Sequence, residues 1–168
     1  MRNQFRIRRD LLREIHADLE RPHEFAHERV GFIACRASKS STGYVVLAYE
    51  YLPVHDEHYV NDSSVGAMMG SAAIRTALQF AYRSRASVFH VHSHGGRGRP
   101  SFSRVDLREN ARFIPDFFNV APTTPHGAVV LSNDNIAGLI WVAPGVQRQV
   151  IDEAVVIGAP LLISQSQT

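Results

Sequence analysis

Between positions 90 and 107 the chain reads HVHSHGGRGRPSFSRVDL, and the histidines and aspartate of this run are of types that hold a transition metal. His90, His92 and His94 alternate, so on a strand their side chains share one face. An H-x-H pair at a strand's end can chelate one ion without backbone strain. Asp106 lies twelve residues beyond His94, just inside a following helix. A glycine-rich loop of that length can fold back and bring its carboxylate to the same ion, and Gly95, Gly96 and Gly98 let the backbone approach closely. Cys35 is the single cysteine, which excludes a multi-thiolate site and leaves imidazole and carboxylate as ligands. Three protein ligands leave tetrahedral zinc a fourth position for water, whose pKa the metal lowers to about 7. His90 reads as a packed or hydrogen-bonded strand residue. His23, His27, His55 and His58 sit in loops or at element ends and carry no assignment.

The elements that must position these residues follow from periodicity and turn chemistry. Residues 4–8 alternate apolar and polar as a short strand does. Asp10 is the expected N-cap of a helix to about residue 20, with Leu11, Leu12, Ile15 and Leu19 on one face and Pro22 just beyond its end. Residues 29–36 and 44–52 read as strands joined by a Ser/Thr/Gly turn into a hairpin. Residues 53–64 are polar and read as a loop. A helix is expected from about Val65 to Arg83, with Ile74, Leu78 and Ala81 on one face, widened by Met69, Ala73, Ala77 and Phe80. Ser87 to Val91 form a strand that leads into the histidine pair. Ser103 or a near neighbour caps a helix to about residue 118 with Val105, Leu107, Ala111, Phe113 and Ile114 as its apolar residues. GAVVLS and AGLIWVA then pair across Asn133-Asp134-Asn135, and the tail holds one or two more strands. The expected fold class is α/β, a mixed, mostly antiparallel sheet flanked by helices, in a single domain over residues 1–168.

Against this background the motif becomes specific. His92-Ser93-His94, a loop of eight residues, and Ser103-Arg104-Val105-Asp106 resemble the signature of the JAB/JAMM (MPN-domain) zinc metallopeptidases, in which a glutamate precedes H-x-H, a loop and S-x-x-D. Glu28-Arg29-Val30-Gly31-Phe32-Ile33 resembles the family's Glu-x-x-Gly entry into an early strand. The likeness spans roughly residues 4 to 145. Two positions depart from the pattern. Gly95 stands where the family usually has proline, and the loop is one residue longer than usual.

The resemblance implies a JAB/MPN, cytidine-deaminase-like architecture of the compact prokaryotic type, binding one Zn2+ per chain through His92, His94 and Asp106. It further implies Glu28 as the general base and acid, and Ser103 as a donor to the developing oxyanion. The implied activity is hydrolysis of an amide bond after the C-terminal Gly-Gly of a ubiquitin-like protein, in a conjugate or a precursor. The substrate tail would add to a sheet edge, with the loop at 53–64 shaping its channel. The two alternatives are a non-catalytic MPN-type scaffold and a metallohydrolase of small amides without a protein partner.

Composition narrows the partners. The chain is 45% hydrophobic and 20% charged, with a formal charge of +2, and no apolar run reaches membrane-spanning length. The charged N-terminus lacks the apolar stretch of a signal peptide, so a cytoplasmic address and no membrane partner are expected. Arg2, Arg6, Arg8, Arg9 and Arg13 are interspersed with and followed by Asp10, Glu14, Asp18 and Glu20, a mixed, solvated helix face, so nucleic acid is not an expected partner. Arg97 and Arg99 border the site on what reads as a mobile, solvated loop. The apolar neighbours of Cys35 mark it as packing rather than a nucleophile. Oligomeric state is left open.

Overall fold

In the computed structural model, which describes residues 2–62, 67–159 and 161–165, short β-branched and aromatic runs build one mixed sheet with helices on both faces. In chain order the elements are β1 (Gln4–Arg8), α1 (Arg9–Leu19), β2 (Val30–Lys39), β3 (Tyr44–Pro53), α2 (Ser71–Ser84), β4 (Ser87–Ser93) and α3 (Arg104–Phe113). β5 (His126–Leu131), β6 (Ile136–Trp141), β7 (Gln149–Val150), β8 (Glu153–Ile157) and β9 (Leu162–Gln165) follow. The strand order is β7-β6-β5-β4-β2-β3-β1-β8-β9. β1 pairs parallel with both β3 and β8, and β4 pairs parallel with β5; the other neighbours are antiparallel. The expected β2–β3 hairpin and the β5–β6 pairing are both present. No helix among the described residues is long and apolar enough to cross a membrane.

The period of two along each strand divides the core into two layers. On one face Phe5, Ile33, Phe89, Val91 and Val129 pack with Leu11, Ile15 and Leu19 of α1. On the other, Val30, Phe32, Val88 and Ala128 pack against Ala73, Ala77 and Ala81 of α2 and against Phe113, Ile114 and Phe117. The small alanine stripe lets α2 lie close to the sheet. The histidines of β4 share the α2/α3 face, so the site forms where that face runs out beyond the end of β4.

Several boundaries differ from expectation for local reasons. Arg8, not Asp10, occupies the N-cap of α1 without a side-chain cap; Asp10 instead pairs with the Arg8 guanidinium at 3.0 Å. α2 starts at Ser71 rather than near Val65, because the chain just before it is committed elsewhere: Met69 bridges Tyr59, and Gly70 N donates to His58 O. Val65 itself, and Ser63 and Ser64 of the expected loop, lie outside the described residues. That loop also contains one 3₁₀ turn at Asp56–His58. α3 stops at Phe113, where the chain tightens into a 3₁₀ helix over Ile114–Asn119 with Pro115 near its start. The tail supplies three strands instead of one or two.

His126, fully buried at the start of β5, makes the fold sensitive to acid. Its Nδ1 accepts from the Val88 amide at 3.1 Å and its Nε2–H donates to Ala121 O at 3.0 Å. Burial lowers its pKa to about 4, the bond to Ala121 opposing this only in part. The unfolded chain takes up a proton near pH 6.5 that the folded chain refuses, so stability is full above that value and is lost as pH falls toward 4. Between pH 7 and pH 5 this one group costs about 2 kcal/mol. Urea unfolding of wild type and His126→Gln at both pH values checks this: the variant, whatever its stability at pH 7, should lose less on acidification. An equal loss in both would remove His126 from the account.

Candidate metal centre

The ladder between β2 and β4 sets the site's geometry. Val30 pairs with His92 and Phe32 with His90, so two residues upstream of Val30 the chain brings Glu28 to the end of β4 that carries His94. His90 and His92 project on one face with their rings stacked at 5.7 Å, and His94 follows just beyond the end of β4. On the far side of the loop, Ser103 caps α3. Its Oγ accepts from the Asp106 amide at 3.1 Å, while Asp106 Oδ2 accepts from the Ser103 amide at 2.7 Å. This reciprocal pair is a capping box with aspartate in the third position. It aims the Asp106 carboxylate back toward the histidines.

His92, His94 and Asp106 form a group able to hold a metal. The two Nε2 atoms are 3.1 Å apart, and each lies 3.4 Å from Asp106 Oδ2. Ligands on zinc at bonds of about 2.0–2.1 Å sit about 3.3 Å from one another at the corners of a tetrahedron. The three atoms thus occupy one face of a zinc-sized tetrahedron. His92 is buried, whereas His94 is exposed and Asp106 half-buried, so the fourth corner is reachable from solvent. Burial alone would raise the Asp106 pKa; hydrogen bonds from His92 and Ser103 outweigh it and hold the carboxyl well below its usual range. Asp106 is therefore ionised, as a metal ligand must be.

Glu28, Ser103, His92, His94 and Asp106 all line one cavity of about 320 Å³. These are the five residues to which the sequence assigned a metal or catalytic role; Arg97 and Arg99 are not among the lining residues. Glu24, the nearest other carboxylate upstream, is not among its lining residues. Met68, Met69, Ile74, Val105 and Phe113 give the cavity an apolar wall. No described residue of the expected loop at 53–64 lines it; residues 67–69 just beyond contribute to its wall.

The loop between the ligands is held more firmly than its composition suggests. Asn133 N donates to Gly96 O, Gly98 N to Asp134 Oδ1, and Ser132 Oγ to Gly98 O, tying it to the β5–β6 turn. Arg99 donates to Gln165 O at 2.7 Å. The solvated-loop reading holds for Arg97 and Arg99 as exposed side chains, but the backbone around them is pinned. Gly95 has φ of +63°, a value closed to proline, whose ring fixes φ near about −65°. A proline at this position could not follow the path by which the chain leaves β4. Cys35 is fully buried, and burial pushes its thiol pKa up, as packing rather than nucleophilic chemistry requires.

Sequence reasoning missed Asn110. It is buried, and the Nδ1–H of His90 donates to its Oδ1 at 2.9 Å. Burial foremost, then the neighbouring His92, lowers the His90 pKa to about 3, so the ring is neutral. The available signal was spacing: Asn110 is four residues after Asp106, one helical turn along the same face.

Compared with known proteins, the chain matches no family model and no curated protein.

Proposed function

We propose that this chain is a zinc-dependent peptidase of the JAB/JAMM type, hydrolysing an amide bond after the C-terminal Gly-Gly of a ubiquitin-like protein. The observation that carries the reading is the zinc-sized triangle of His92, His94 and Asp106 in a cavity also lined by Glu28 and Ser103. That set of five, in the order Glu, His, His, Ser, Asp, is what the family's chemistry requires.

Zinc, when bound, supplies a Lewis acid and a water of lowered pKa. His92, His94 and Asp106 would hold it, with a net ligand charge of −1, and it would supply positive charge to polarise a substrate carbonyl. Glu28 takes one proton of the attacking water and delivers it to the leaving amine nitrogen as the C–N bond breaks; the second water proton passes from the new carboxyl group to the amine, so amide hydrolysis ends with a carboxylate and an ammonium. Ser103 Oγ is already an acceptor toward the Asp106 amide, which leaves its hydroxyl hydrogen to donate to the developing oxyanion.

The same site also supports a second reading, a metallohydrolase of small amides. Met68, Met69 and Ile74 offer an apolar wall that a side-chain-free Gly-Gly tail does not fill. The zinc-loaded chain, assayed on a ubiquitin-like protein fused through Gly-Gly to a reporter amine and on a short Gly-Gly-amide, separates the two. Cleavage of the fusion with a kcat/KM well above that of the short amide is the expected result. Cleavage of the short amide alone moves the assignment to the second reading, and cleavage of neither, with zinc bound, leaves the scaffold.

A further inference from the structure

Behind the metal triangle lies a second polar layer that no substrate step uses. Three buried side-chain atoms, His90 Nε2, His92 Nδ1 and Asn110 Nδ2, have no hydrogen-bond partner among the described residues. The hydrogen bond in this layer, from His90 Nδ1–H to Asn110 Oδ1, is buried and joins β4 to α3. Two such rungs connect these elements. His92 faces Asp106 and His90 faces Asn110, two residues apart on the strand and four apart on the helix. A strand advances about 6.6 Å over two residues and a helix about 6 Å over four, so the two rungs stay in register. Phe113, close to one further turn along, meets the His90 ring edge-on at 5.3 Å and Phe32 at 6.2 Å.

We infer that His90 and Asn110 are positioning residues for the metal centre: their buried bond fixes the register of α3 on β4 and thereby the distance from Asp106 to His92 and His94. This rests on the zinc reading above. An apolar contact would tolerate sliding of the helix by an ångström or more, because dispersion is non-directional, whereas a buried hydrogen bond at 2.9 Å does not. The physical reason to place a polar pair here is therefore geometric. Leaving His90 Nε2 and Asn110 Nδ2 buried and unpaired is a cost that an apolar pair of the same size would avoid. His90 also stacks on His92, so its ring limits how far the ligand imidazole can turn. Outer-layer partners of metal ligands commonly set affinity by about 10–100-fold.

The test reads metal affinity and geometry and does not need turnover. Zinc affinity of the full chain is measured by chelator competition, and Co(II) uptake by its visible d–d spectrum, for wild type, His90→Phe, Asn110→Leu, His90→Gln and Phe113→Leu. His90→Phe and Asn110→Leu should weaken zinc binding by about 10–100-fold and alter the Co(II) spectrum. His90→Gln, which keeps a donor for Asn110 Oδ1, should recover most of the affinity. Phe113→Leu removes packing at the same interface and should lower thermal stability while changing zinc affinity by less than about threefold. The two variants approach the bond from different elements, so misfolding of one leaves the other to decide. If both bind zinc as tightly as wild type, or if Phe113→Leu loses as much affinity as they do, the positioning role is overturned. A wild-type chain that takes up no zinc overturns the peptidase reading, and this inference with it.

Discussion

Asp106→Asn is expected to fold with nearly wild-type stability and to lose zinc almost completely, by more than about 100-fold in affinity. The argument is that Asp106 Oδ2 has two tasks, accepting the Ser103 amide and facing both imidazoles at 3.4 Å. An asparagine carbonyl can still accept from the Ser103 amide, so the capping box survives. It carries no charge, however, and two neutral imidazoles alone hold zinc weakly. Asp106→Ala loses both tasks and should be destabilised by about 1 kcal/mol as well, the usual cost of a removed cap partner. His92→Ala should lose zinc likewise and leave a void beside Phe102, whose ring lies 6.1 Å from that of His92. Elemental analysis of the purified variants, with thermal unfolding of each metal-free form, reads the two tasks separately. About one zinc per wild-type chain, with less than a tenth of that in all three variants, is the expected pattern. Full zinc occupancy in Asp106→Asn would move the site away from this triangle.

Legibility in the sequence tracked how local each signal was. His92 and His94 were visible because a period of two on an apolar strand puts them on one face, and β4 is such a strand. Asp106 was visible because S-x-x-D is itself a helix-start pattern, and the capping box found there is local chemistry. Glu28 had no local signal: it precedes β2 without a turn or cap motif, and only the family resemblance singled it out. The β2–β4 register that brings it to the cavity is a long-range pairing that periodicity does not encode. Asn110 was passed over for the opposite reason. It reads as a polar interruption of an apolar helix face, and its partner His90 lies on another element. The misplaced start of α2 has a similar origin, because Met69 fits the helical stripe but spends its backbone on a bridge to Tyr59. The tail strand β9 looks core-like in composition, yet Leu161, Leu162 and Ile163 are substantially exposed, since an edge strand's burial depends on what the sheet places beside it. Parallel pairing of β1 with β3 and β8 was also out of reach, because it joins β1 across a helix and another strand to β3 and to β8 at the opposite end of the chain.

The largest effect on rate without loss of metal should come from Glu28→Gln. Glu28 lines the cavity with the three ligands but is not one of the atoms in the zinc-sized triangle, so its charge can be removed without emptying the site. Glutamine has nearly the same shape and reach, which isolates the carboxylate's ability to take and return a proton. General acid–base catalysis by a positioned side chain contributes about 10²–10⁴-fold, and Glu28 is assigned both transfers, so kcat should fall toward the upper part of that range. KM should move little, because Glu28 is assigned no contact with the parts of the substrate that do not react. Zinc should stay near one per chain. The measurement is steady-state cleavage of the Gly-Gly fusion by wild type and variant, with zinc determined on the same samples. Ser103→Ala makes the natural companion: it too should keep zinc, lose about 10²–10³-fold in kcat as an oxyanion donor, and lose a little stability with the cap. A Glu28→Gln enzyme within about threefold of wild type would reduce Glu28 to a wall residue. The proton would then have to travel by another route, and Glu109, the other carboxylate lining the cavity, would be the next to replace.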